Sequence, residues 1–261
     1  MKQAGAVHVH PVFHQGAPMN SWDAVWPWIG MLAALCLLAG LLLTDRFRSQ
    51  VALSRWHDLQ WLAWLAAPVY MLHQFDEYAV FYDYAAGKSA FADAMCQRLG
   101  YLPYPDCPLP AAHFWLINIA LAWLLIPLAA ACCKRSPAVA LAPWGVIFIN
   151  GCGHLAAWLI NGLPMLAGHN AGVLTACLLF LPLSAWVAHA GLKSGAIPPR
   201  LLGLIVATGV LAHLLLLTAF ASFRLGGAAL MFTVDIAALA LLLPAAWLAD
   251  RLLSAQPLEE K

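Results

Sequence analysis

Residues 24–44 read AVWPWIGMLAALCLLAGLLLT, 21 residues without a formal charge. About 20 helical residues, rising 1.5 Å each, span the hydrocarbon core of a bilayer, so this stretch reads as a membrane-crossing helix. A barrel strand is about half that length and alternates in polarity, which this stretch does not. Runs of the same kind recur at 60–82, 113–133, 138–161, 170–190, 201–221 and 226–248. The expected fold class is all-α, a polytopic membrane helical bundle of about seven transmembrane helices. Composition agrees, since 63% of the 261 residues are hydrophobic and 10% are charged, against about 25% charged in soluble domains. A water-soluble enzyme of this length would need more polar surface. The net charge of +1, without a basic cluster, argues against nucleic acid as a partner. The partner that composition implies is the lipid bilayer.

Pro68, Pro127, Pro143, Pro164, Pro182 and Pro244 fall inside or at the ends of these runs. Membrane helices tolerate proline where neighbours satisfy the freed carbonyls, so they predict kinks and not span ends. Cytoplasmic loops collect Lys and Arg. An external N-terminus puts nine of the 13 Lys and Arg inside and leaves Lys2, Lys88, Arg98 and Arg224 outside. Trp22, Trp26, Trp28, Trp115 and Trp158 then fall near outer ends, with Trp56, Trp61, Trp186 and Trp247 near inner ends, as interfacial belts require. The setting this implies is a plasma membrane with the C-terminus cytoplasmic. The first 20 residues lack a long apolar core and do not read as a secretory signal peptide. The expected organisation is an external arm over 1–22, one integral domain over 23–250 and a cytoplasmic tail over 251–261. An external segment at 83–112 carries Cys96 and Cys107, and outside the membrane a disulfide between them is permitted.

Charges inside a bilayer cost at least about 2.5 to 3.5 kcal/mol each and mark functional candidates. Asp76, Glu77 and Asp235 lie within the apolar runs. On the second helix, His73 and Glu77 are four residues apart and share a face, with Asp76 on its flank. Imidazole and carboxylate at that spacing can hold a metal ion or pass a proton. On the fourth helix, Asn150 and His154 repeat the spacing, and Gly151 and Gly153 would let another helix approach. With both helices running outward, His73 and His154 lie at matching depths, about 10 to 14 Å below the outer boundary. His169 and Asn170 open the fifth helix at the outer rim and could cover such a site. Asp235 and His213 form a second polar pair near mid-membrane, explained by interhelical hydrogen bonding or a proton relay. His57, His113 and His189 sit at helix ends, where water can satisfy them. His8, His10 and His14 could collect metal, at the entropic cost of ordering an arm rich in Gly and Pro. Taken singly, each buried histidine is also explained by a bond to a neighbouring carbonyl.

His73-x-x-Asp76-Glu77, then His154, then His169-Asn170-Ala171-Gly172, resembles the bacterial membrane proteins named for an H-x-x-E-E motif. Those carry a further histidine and a Y-x-P-G motif in the same order. The resemblance covers roughly residues 60 to 185. Asp76 stands for the first glutamate, and His169 and Ala171 for the tyrosine and proline. What the resemblance implies is a bacterial inner membrane as the setting and a shared site on these helices, with no reaction attached to it.

The sequence has no Walker loop, dinucleotide glycine pattern, nucleophile elbow or H-E-x-x-H motif. The leading expectation is a metal-dependent enzyme acting on an amphiphilic, lipid-like substrate from the outer leaflet. His73, Glu77 and His154 would hold zinc or iron, and Asp76 or His169 would move protons. Hydrolysis suits zinc and oxidation suits iron. The alternatives are a small proton- or cation-coupled transporter using Asp76, Glu77, Asp235 and His213, and a non-catalytic membrane partner or sensor.

Overall fold

A computed structural model of the chain describes residues 21–162, 164–165 and 170–255. The N-terminal histidines and His169 lie outside the described residues. The protein is mainly helical, and five helices are long and apolar enough to cross a membrane: Ser21–Leu43, Ala111–Ala131, Pro137–Asn161, Val173–Lys193 and Pro199–Leu252. We label the helices α1 (Ser21–Leu43), α2 (Leu59–Tyr78), α3 (Ala90–Arg98), α4 (Ala111–Ala131), α5 (Pro137–Asn161), α6 (Val173–Lys193) and α7 (Pro199–Ala255).

Helix α2 carries the polar residues and is the most enclosed, with 15 of its 20 residues buried. A helix buried all round must be the centre of its bundle, and α2 packs against α1, α4 and α5. Its start is set by Asp58, whose carboxylate accepts from the backbone N–H of Gln60 at 3.0 Å and of Trp61 at 3.2 Å, an N-cap. The same carboxylate accepts from Ser49 N at 2.8 Å and Gln50 N at 2.7 Å, folding the α1–α2 loop onto the helix. Burial pushes the Asp58 carboxyl up, but the donors on Gln50, Trp61 and Ser49 outweigh it and hold it below its ordinary value.

Pro164, expected inside or at the end of a span, lies instead in the loop after α5 ends at Asn161. Pro27, Pro68, Pro143 and Pro244 lie inside helices. Pro127 and Pro182 each follow a stretch of wide π turns, at Ala120–Leu125 and Ala176–Phe180. A wider turn makes room for a ring that has no N–H and would strike the carbonyl one turn back.

Two expectations need correction. The runs at 201–221 and 226–248 are, as expected, two helical segments, here labelled together α7, which meet at a break at Gly226 (φ −143°, ψ 16°) and Gly227 (φ 68°, ψ −162°). A straight helix of that length would extend about 85 Å, far beyond a bilayer. Instead Ala212, Leu215 and Leu216 face Asp235, Ala238 and Leu239 across a small cavity, so the chain folds back at a conformation that only glycine adopts readily. Of the two glycines expected to admit another helix, Gly151 does so, since a Cβ there would fall 3.1 Å from Leu181 Cδ2 of α6, whereas around Gly153 a Cβ would meet nothing within 4 Å. A closer approach lies between α5 and α7, where a Cβ on Gly145 would fall 1.7 Å from Ile205 O and one on Gly209 2.1 Å from Gly145 O. Which glycines meet is not legible along the chain, because pairing depends on helix rotation. Finally, residues 83–112 are not all loop. Tyr82–Asp83 pairs antiparallel with Lys88–Ser89, and α3 follows. Cys96 on α3 is bonded to Cys107, with an S–S distance of 1.97 Å.

Candidate metal centre

Helix α2 reaches the site near its far end. Glu77 is 18 residues beyond Leu59, or about 27 Å at helical rise, so the site lies close to the end of the bundle that α3 covers. The His154 ring, from α5, lies 4.8 Å from that of His73 between centroids, at 79°. Glu77 Oε1 is 3.2 Å from His154 Nε2 and 4.0 Å from His73 Nε2. One ligand atom from each of the three residues lies within 4.8 Å of the others. Tetrahedral ligands about 2.1 Å from one ion stand about 3.4 Å apart, so ring movements of about an ångström would bring all three onto one ion. The cluster could hold a metal.

The orientation of His73 comes from behind it. Its Nδ1 lies 2.9 Å from Thr175 Oγ1. Thr175 donates its hydroxyl to Asp76 Oδ2 at 2.8 Å and its backbone N–H to the same oxygen at 3.0 Å. With its one hydroxyl proton given to Asp76, Thr175 Oγ1 accepts from His73 Nδ1–H, which leaves Nε2 as a lone pair. That nitrogen is buried and has no hydrogen-bond partner among the described residues. A lone pair facing a carboxylate in a dry interior is unfavourable unless a cation stands between them. Carboxylate-assisted fixing of a histidine tautomer is how metal sites orient their ligands. Asp76 therefore stands behind His73 through Thr175, two hydrogen bonds removed from the cluster.

Gly172 closes the site. Its φ is 84°, and a Cβ there would fall 2.8 Å from His154 Cε1 and 2.9 Å from His73 Cε1. This turn also corrects the expected start of the fifth helix. Asn170 precedes the helix, which begins at Val173 after the left-handed Gly172. Asn170 Nδ2 donates to Pro164 O at 3.1 Å, and Asn161 Nδ2 donates to Asn170 Oδ1 at 3.4 Å. It ties down the loop between α5 and α6.

Residues 64–187 match the HXXEE family. The family is described as a protein of unknown function with an HXXEE motif. The matched stretch contains His73, Asp76, Glu77, His154, Gly172 and Thr175. It ends before α7. No curated protein and no solved structure matches the chain.

Glu77 also lines a cavity of about 80 Å³, together with Asn150, Asn118 and His113 and with apolar groups that include Phe91 and Phe114. Asn150 Oδ1 is buried without a hydrogen-bond partner among the described residues. Asn118 Nδ2 donates to Tyr78 Oη at 3.0 Å and Gln74 Nε2 donates to Asn118 O at 2.7 Å, fixing that wall. The expected pairing of Asp235 with His213 does not occur. Asp235 Oδ2 lies 2.8 Å from His113 Nδ1, both residues 1% exposed. His213 instead places Nδ1 2.8 Å from Gly209 O of its own helix. His113, expected to meet water at a helix end, is buried against α7, its ring 4.7 Å from that of Phe220 between centroids. Thr175 was missed as well, since a threonine in an apolar helix carries no signal until its neighbours are known.

Proposed function

We propose that this protein is a metal-dependent membrane enzyme acting on an amphiphilic substrate. The observation that carries the reading is the buried His73 Nε2, turned toward Glu77 and His154 by Thr175 and Asp76. Two histidines and one carboxylate leave coordination positions open for water or substrate, the arrangement of catalytic and not of structural sites. One divalent ion, zinc or iron, would balance the charges of Glu77 and Asp76. Asn150, Asn118 and the aromatic wall beside Glu77 offer a polar and an apolar side to one ligand, which suits an amphiphile. Protein purified in mild detergent without chelator is expected to contain about one equivalent of divalent metal by elemental analysis. Metal-free wild-type protein would overturn the reading.

In this reading α7 crosses twice, once on each side of Gly226–Gly227, and with α1, α2, α4, α5 and α6 makes seven crossings. The nine-to-four division of Lys and Arg puts the α1–α2 loop in the cytoplasm and α3 outside a plasma membrane. Single cysteines at Ala85 and Gln50, both exposed, test this in intact cells. An impermeant maleimide should label Ala85→Cys well above the parent protein and leave Gln50→Cys at background. The reverse pattern would invert the topology and place the metal site on the cytoplasmic side.

A further inference from the structure

We propose that His113, held by Asp235, is the proton-accepting residue of the cavity on which Glu77 opens, and that a substrate head group is bound between this ring and the metal. The inference rests on the metal-enzyme reading and adds to it a second group, on α4, outside the H-x-x-E-E motif.

Its basis is the placement of the pair. Asp235 Oδ2 takes the Nδ1 hydrogen of His113 at 2.8 Å. The ring then presents Nε2 as an acceptor, and among the described residues Asp235 is its hydrogen-bond partner. His113 lines the same cavity as Glu77 and Asn150. At about 80 Å³ that cavity has room for several head-group atoms. A purely structural pair would lie in closed packing between helices. This one borders open space shared with a metal-binding carboxylate.

Charge gives the direction of proton flow. With His113 neutral, Asp235 is a single negative charge that is 1% exposed. When the ring takes a proton the two become a hydrogen-bonded ion pair, which removes the uncompensated charge. The same coupling makes a carboxylate-held histidine an effective base. The other titratable groups facing the cavity are Glu77, Tyr70 and Tyr78 of α2, and the tyrosines do not compete as bases near neutral pH.

The chemistry that suits a base opposite a Lewis acid is hydrolysis of an acyl compound with an apolar tail. A water oxygen bonds to the acyl carbon, and the proton it loses goes to His113 Nε2. The bond from that carbon to the leaving oxygen or nitrogen then breaks, and the leaving atom takes the proton from His113. Water is the co-reactant.

Octanohydroxamic acid tests the arrangement, because its head binds zinc as the anion and must give up a proton on binding. Calorimetric titration of zinc-loaded protein in two buffers of different ionisation heat reads affinity and protons released. Wild type is expected to bind with almost no release to buffer. His113→Gln should keep its zinc, bind about tenfold or more weakly, and release close to one proton. Asp235→Asn should change in the same direction, whereas His213→Gln should match wild type. Unchanged affinity and proton count in zinc-loaded His113→Gln, or failure of zinc-loaded wild type to bind the hydroxamate, would overturn this inference alone. If melting curves show His113→Gln misfolded, an unchanged proton count in Asp235→Asn overturns it. Wild type that holds no zinc would overturn the metal reading and this inference together.

Discussion

His73→Ala, Glu77→Gln and His154→Ala are each expected to leave the purified protein without metal, lowering bound zinc or iron from about one equivalent to less than a tenth. The three side chains come from two helices and converge within 4.8 Å, and two remaining ligands hold a divalent ion far more weakly than three. Groups that act as a unit fail as a unit, so the triple variant should lose little more than any single one. The changes behind the ligands should grade differently. Thr175→Val keeps the shape of the side chain but removes the acceptor for His73 Nδ1 and the donor to Asp76. Loss of such a support typically weakens metal affinity about 10- to 100-fold. Asp76→Asn keeps an oxygen that can accept from Thr175 and should cost less affinity than Thr175→Val. Lys134→Ala, in the loop between α4 and α5, should retain the metal. A wild-type ion that survives all three ligand changes would mean that it is bound elsewhere. Three variants that stay folded around an ion-free wild type would leave a hydrogen-bonded polar cluster and shift weight to proton transfer or docking.

The helices were legible because a bilayer imposes a length that apolar runs display directly. The convergence of His73, Glu77 and His154 was legible for a related reason, since periodicity fixes the face and rise fixes the depth. What could not be read was rotation about each helix axis. Asp235 and His213 are near each other in depth, yet α7 turns Asp235 toward His113 of α4, and no count along the chain distinguishes those outcomes. The contact between Gly145 and Gly209 was hidden for the same reason. Thr175 was hidden for another: its role depends on the left-handed turn at Gly172, which directs its hydroxyl at two residues about a hundred positions earlier.

Gly172→Ala is expected to cost the site most of its metal without any ligand being touched. Two independent penalties meet there. The backbone φ of 84° lies where an L side chain costs about 1 to 2 kcal/mol. The new methyl would lie 2.8 Å from His154 Cε1 and 2.9 Å from His73 Cε1, so both rings must retreat by about half an ångström or more to reach ordinary van der Waals contact. They cannot do so freely, because His73 is held by Thr175 at 2.9 Å and packs on Phe180, with ring centroids 4.2 Å apart. Metal bonds tolerate about 0.2 Å of error. Zinc affinity, measured by competition with a chromophoric chelator, should therefore fall about 100-fold or more. Gly153→Ala is the matched control: it neighbours His154 in the chain, but its Cβ would meet nothing within 4 Å. Alanine also favours a helix interior over glycine by about 0.5 to 1 kcal/mol. That variant should keep full metal affinity and melt at the same temperature or slightly higher. Equal zinc affinity in the two variants would show that Gly172 does not set the spacing of the histidines, and that the turn before α6 lies farther from the rings than 2.9 Å contacts require.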